Sequence, residues 1–87
     1  MLTSFEIAKE AQRHLHKASG DIAWARSATM WFEHSGGVSA FAVAVSGYHC
    51  ALRFDEKDLG LTLDQFGKRF LRPMAIAMDD HRAKAAA

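Results

Sequence analysis

Histidine is the residue type that first invites a search for chemistry, with five in 87 residues. His14 and His16 stand two apart, so on a helix their rings point about 200° from each other. One metal ion cannot take both, because a pair on one helical face needs a spacing near four. His49 and Cys50 are neighbours, and on a strand neighbours face opposite sides of the sheet. The imidazole therefore cannot activate the thiol, and Cys50 is expected in the core as a small apolar side chain. Asp79-Asp80-His81 has the composition of a metal string, yet consecutive helical residues diverge by about 100°. His34 and His49, the latter with Arg53 on the same strand, are left as acid–base candidates that would suit RNA cleavage. No third residue at a telling spacing joins them. The chain also lacks a Gly-rich phosphate loop, a zinc-spaced Cys/His set and an arguable Ser–His–Asp arrangement. We therefore expect no enzyme, no metal and no cofactor.

Two surfaces carry binding character instead. Lys68, Arg69 and Arg72 lie with Gln65 on the polar side of the last helix, and Ile76 is an apolar residue on that side. This local basic patch could meet phosphates or acidic groups of a protein. Asp55, Glu56 and Asp58 precede it and would weaken a phosphate field. The second surface follows from strand alternation. Ala40, Ala42 and Ala44 share a face with His49, Ala51 and Arg53, and Trp31 joins them if its segment is a strand. A solvated sheet face normally carries Thr, Lys, Glu and Arg. A small-residue floor edged by Trp and Arg has the composition of a docking surface. Trp31, Arg53, His49, Ala42 and Ala44 are the expected partner-binding residues.

The elements that must position these residues are read from periodicity. Ser4 to Ala18 predicts an amphipathic helix. Phe5, Ile7, Ala8, Ala11, Leu15 and Ala18 fall in one arc, Thr3 or Ser4 serves as N-cap and Gly20 as terminator. His14 and His16 flank that arc. Val38 to Asp55 predicts a hairpin turning at Ser46-Gly47. It pairs Val45 with Tyr48, Val43 with Cys50, Phe41 with Leu52 and Ser39 with Phe54, so every large apolar group faces one way. Leu63 to Lys84 predicts a second amphipathic helix, started by a Thr62/Gln65 capping box and kinked or broken by Pro73. His81 falls in its apolar stripe. The last residues, 82–87, are expected to fray.

Ile22 to His34 reads two ways. As a strand turning at Ser35-Gly36 it pairs Met30 with Phe41 and extends the core face. As a helix it carries a Trp24, Ala28, Trp31, Phe32 stripe with Asp21 as N-cap. The strand continues an existing face, whereas the helix must find new surface for two tryptophans. The expected fold is therefore α+β: one domain over 1–87, a three-stranded antiparallel meander with two helices on one face, in the order α-β-β-β-α. The alternative order is α-α-β-β-α. The preferred order resembles that of double-stranded-RNA-binding domains and related small RNA-cleaving toxins. The resemblance is one of order alone, since Leu61-Thr62-Leu63-Asp64-Gln65-Phe66 has one acid and none of the lysines that family's second helix carries at its start.

Bulk properties agree with a small globular domain. The chain is 49% apolar and 24% charged, with a formal net charge of +1. That charge favours neither nucleic acid nor an anionic membrane, and no apolar run is long enough to span one. A single cysteine excludes an intrachain disulfide and no signal segment is evident, which points to the cytoplasm. The expected function is a non-enzymatic protein–protein interaction module. It would be a small regulator or inhibitor, of the kind phages and plasmids encode, that binds a larger protein and could also self-associate. The alternative is an RNA- or DNA-binding domain working through Lys68, Arg69 and Arg72.

Overall fold

The computed structural model describes residues 1–36 and 38–86. It is α+β, with one antiparallel sheet of strand order β1-β2-β3. Helix α1 spans Ser4–Ser19 and the single-turn α2 spans Ile22–Arg26. Strands β1 (Thr29–Ser35), β2 (Val38–Val45) and β3 (Tyr48–Asp55) follow. A 3-10 turn over Glu56–Gly60 leads to α3 (Leu63–Phe66), a π turn over Gly67–Leu71 and α4 (Arg72–Ala86).

Local chemistry accounts for the boundaries. Thr3 and Glu6 form a capping box at the start of α1, and Gly20, at φ 69°, ends it with its N–H donating to the His16 carbonyl at 2.8 Å. Between Ser46 (φ 51°) and Gly47 (φ 81°) the chain reverses as a hairpin turn with two positive φ values requires. The resulting β2–β3 register is the expected one, from Val45 opposite Tyr48 to Ser39 opposite Phe54.

The segment 22–34 combines both readings. Asp21 accepts from the Trp24 N–H at 3.0 Å and starts α2, while Ser27 closes it by donating its hydroxyl to the Trp24 carbonyl at 2.7 Å. Thr29-Met30-Trp31-Phe32 are β-branched, aromatic or bulky residues that suit a pleated surface, and they form β1. The strand thus occupies only the second half of the segment, and a helical turn is added to the α-β-β-β-α order. Met30 pairs with Val43 and Phe32 with Phe41, two residues away from the expected Met30–Phe41 pairing. Ser35 is itself paired, with Val38, so the reversal does not use Ser35-Gly36 as its turn; Gly36 has φ 60°, and Gly37 lies outside the described residues. A shift of two keeps parity, so Met30 and Phe32 still face the core.

All the helices pack on that core face. Ile7, Ala11 and Leu15 of α1 join Phe41, Val43 and Val45 of β2, Phe54 of β3 and Phe66, Leu71, Met74 and Met78 beyond it in one buried cluster. Phe54 meets Phe66 edge-on at 5.2 Å, and Phe66 meets Phe70 at 4.9 Å. Phe5 falls outside the cluster, 69% exposed, with Lys9 over its ring. His14 takes the place in the stripe, because the face that meets the core runs 7, 11, 14, 15, 18. His16 is exposed.

Pro73 does not break the last helix. Its missing N–H and its ring would disturb the carbonyls one turn back, and that turn is the π segment, where the Arg72 N–H reaches the Gly67 carbonyl. The backbone stays helical on both sides, with φ −60° at Gly67 and −63° at Arg72. Nor does the chain fray from residue 82, since α4 continues to Ala86. Arg82 anchors it, donating to the Ser19 carbonyl and to Asp79 while lying over the Trp24 ring. Ala87 lies outside the described residues.

Gly67 is a glycine for reasons of space. A Cβ there would stand 2.8 Å from Nε2 of the buried His14. Gly67→Ala should therefore destabilise the protein by about 1 kcal/mol, crowding outweighing the gain in helix propensity. In a His14→Ala background the same substitution should stabilise. Urea denaturation of the four proteins measures both signs.

Candidate functional site

The sheet has two unlike faces. On the side away from the helices, register places four rows across the strands: Thr29, Ala44 and His49; Trp31, Ala42 and Ala51; Glu33, Ala40 and Arg53; and Ser35, Val38 and Asp55. Trp31 is 40% exposed, and His49, Ala51 and Arg53 are exposed. Ala44 is half-buried. Ala42 is only 7% exposed, because it lies in the central strand directly between Trp31 and Ala51; it supplies floor rather than contact area. All five residues expected to bind a partner thus share one face.

The histidines are dispersed. His34 lies on the helix side of β1, its Nδ1 2.8 Å from the Ser39 hydroxyl. His49 lies on the opposite face, and its row is at the far end of the sheet from His34. The two therefore cannot act on one substrate atom. His81 is exposed rather than buried in the stripe, and its ring stacks on Tyr48 at 3.9 Å and 15°. Cys50 is half-buried, and burial pushes its thiol pKa up, which leaves it protonated and inert at neutral pH. Among the described residues no three His, Cys, Asp or Glu side chains converge as a metal site, and no helix is long and apolar enough to cross a membrane.

The basic patch is divided by the structure. Arg69 turns away, over Phe70 and toward the buried carboxylate of Asp58 at 3.6 Å. Asp58 is held there by the Asp55 N–H at 2.9 Å. Lys68 and Arg72, four residues apart on one helical face, point instead into a cleft of about 260 Å³ between α1 and the last helical segment. Arg13 and Lys17, also four apart, line it from α1. Nothing local marks these two as functional; their equal spacing on the polar side of α1 is the one signal the sequence carries. Arg13 is paired with Glu10, and Lys68 with Asp64 at 3.1 Å. Lys17 and Arg72 form no ion pair among the described residues.

His14 forms the inner wall of this cleft. Its pKa is lowered, first by burial, then by the nearby Arg13 charge, with Lys17 and Arg72 adding to the effect; Glu10, 3.5 Å away, opposes it. Comparison with known protein families, curated proteins and solved structures returned no match for this chain.

A histidine that binds its proton less readily when folded makes the unfolded state the better proton acceptor. His14 should therefore stabilise the fold fully above its ordinary value near 6.5 and lose that contribution as pH falls through its lowered native pKa. Urea denaturation between pH 7.5 and pH 5 should show wild-type stability falling more steeply than that of His14→Gln; parallel curves would count against this assignment.

Proposed function

We propose that this chain is a non-enzymatic protein-binding module that docks through the outer face of its sheet. It would serve as a small regulator or inhibitor of a larger protein, of the kind mobile elements encode. One observation carries the reading: all the helices pack on one face, and the other presents a half-exposed indole beside a floor of alanines, edged by Arg53 and Glu33. Such a floor lets a partner side chain approach the sheet closely, and Trp and Arg are the residues whose burial contributes most at interfaces. The complementary surface has a bulky apolar group over Ala51 and a carboxylate opposite Arg53.

A second copy of the chain has that chemistry. A two-fold axis along β2 would place Trp31 of one copy over Ala51 of the other and Glu33 over Arg53, twice by symmetry. The face measures roughly 400 Å² in projection from strand number and length. That is about half the area a stable partner contributes, so self-association through it is weak.

Affinity capture of partners and sedimentation at rising concentration test the two cases together. Trp31→Ala and Arg53→Ala should each lose the protein retained by the wild type while keeping the wild-type circular dichroism spectrum, and Lys57→Ala should retain it. In sedimentation, Glu33→Arg and Arg53→Glu should each weaken a dimer and together restore it. Retention and sedimentation untouched by every one of these variants would exclude the outer face.

A further inference from the structure

The cleft between α1 and the last helical segment lies on the opposite side of the molecule from the outer sheet face and plays no part in that docking. Two ladders of cations line it, Arg13 with Lys17 and Lys68 with Arg72. Within the α1 ladder the rise is about 6 Å. Four cations against the carboxylates of Glu10 and Asp64 leave a surplus of two positive charges. The two without an ion pair among the described residues, Lys17 and Arg72, stand on different helices. Holding like charges together at one cleft costs energy unless an anion is shared between them, and low-dielectric walls concentrate the field there.

We infer that this cleft binds a small phosphate-bearing ligand, with the phosphate bridging Lys17 and Arg72. A phosphate monoester carries a charge of about −1.5 to −2 at neutral pH, matching the surplus. A planar guanidinium can bind two of its oxygens at once, and an ammonium supplies a point charge from the other side. Ile76, 54% exposed at the cleft, gives a short apolar wall with Ala18, which suits the organic part of the ligand. At about 260 Å³ the cleft is slightly smaller than most small-molecule pockets, which suits a phosphate with a short organic part. A nucleic-acid strand would need the positive track to continue past the cleft. Instead Asp79 and Asp80 follow Arg72 along α4, paired with Arg82 and Lys84, and Glu6 and Lys9 stand together beyond the Glu10–Arg13 pair on α1. No positive surplus continues along either helix past the cleft, which weighs against the nucleic-acid alternative as well.

Titration of ¹⁵N-labelled protein with inorganic phosphate, pyrophosphate and adenosine monophosphate at low ionic strength tests the inference. Saturable shifts should gather around Arg13 to Ala18 and Lys68 to Ile76, with the His14 ring moving too and the outer sheet face unchanged. Lys17→Gln and Arg72→Gln should each weaken binding about tenfold, as expected for losing a charged hydrogen-bond partner. Lys57→Gln, which is not among the cleft's lining residues, should not. Amide spectra of the unliganded variants establish that they are folded. No saturation by about 10 mM of any of the three anions, or an equal loss in Lys57→Gln, would overturn the inference. So would a single-stranded RNA oligonucleotide binding at least tenfold tighter than the mononucleotide with shifts spreading beyond the cleft, because the site would then be a nucleic-acid surface. Failure of the outer face in capture or sedimentation leaves these results untouched.

Discussion

Two consecutive residues with positive φ, Ser46 and Gly47, return β2 onto β3 in the one register that sends Phe41, Val43 and Val45 to the same side as Tyr48, Cys50, Leu52 and Phe54. Each large apolar side chain buried there contributes about 1.5–3 kcal/mol, and a slip of one residue would turn the whole set into water. The left-handed backbone at Ser46 is itself unfavourable for a residue with a Cβ. Hydrophobic parity holds that conformation in place. It also makes the outer face what it is, because the residues that alternate with the core set along β2 are Val38 at its start and then three alanines.

The same core dictates where the helices meet. α1 presents His14 in its buried stripe, and the facing turn comes close enough that only a glycine fits beneath the ring. Close contact at this point, next to Glu10, draws Arg13 and Lys17 up to Lys68 and Arg72. The widened turn before Pro73 keeps the last helical segment continuous, so Lys68 and Arg72 remain in one column. The positive cleft is thus a by-product of how two helices are brought together over the sheet, and its walls are as firm as the core behind them.

Much of this was legible in the residues. The β2–β3 register, the caps at Thr3 and Thr62 and the sidedness of Trp31, Arg53 and the alanines all follow from rules that act within a few residues. What escaped depended on tertiary distance or on competition between equal local tendencies. Residues 22–34 carry helix formers in the first half and strand formers in the second, and a single reading of the whole segment hid the boundary at Ser27. The β1–β2 pairing was displaced by two because Ser35-Gly36 and Gly36-Gly37 are both acceptable turns, and parity could not separate them. Arg69 was grouped with Lys68 and Arg72 by helical position, yet Asp58 takes it from the other side. The cleft needed two helical segments far apart in sequence, one carrying Arg13 and Lys17 and the other Lys68 and Arg72, to be placed side by side, which no local pattern announces.

The two tryptophans end up in different surroundings. Trp24 is fixed under Arg82, its indole nitrogen buried without a hydrogen-bond partner among the described residues, while Trp31 meets solvent on the far side of the sheet. The molecule therefore carries two optical probes with separate loyalties. A quencher dissolved in water reaches the exposed Trp31 more readily than the partly buried Trp24. Emission can thereby tell an event on the outer surface from a loosening of the helices, with no label added.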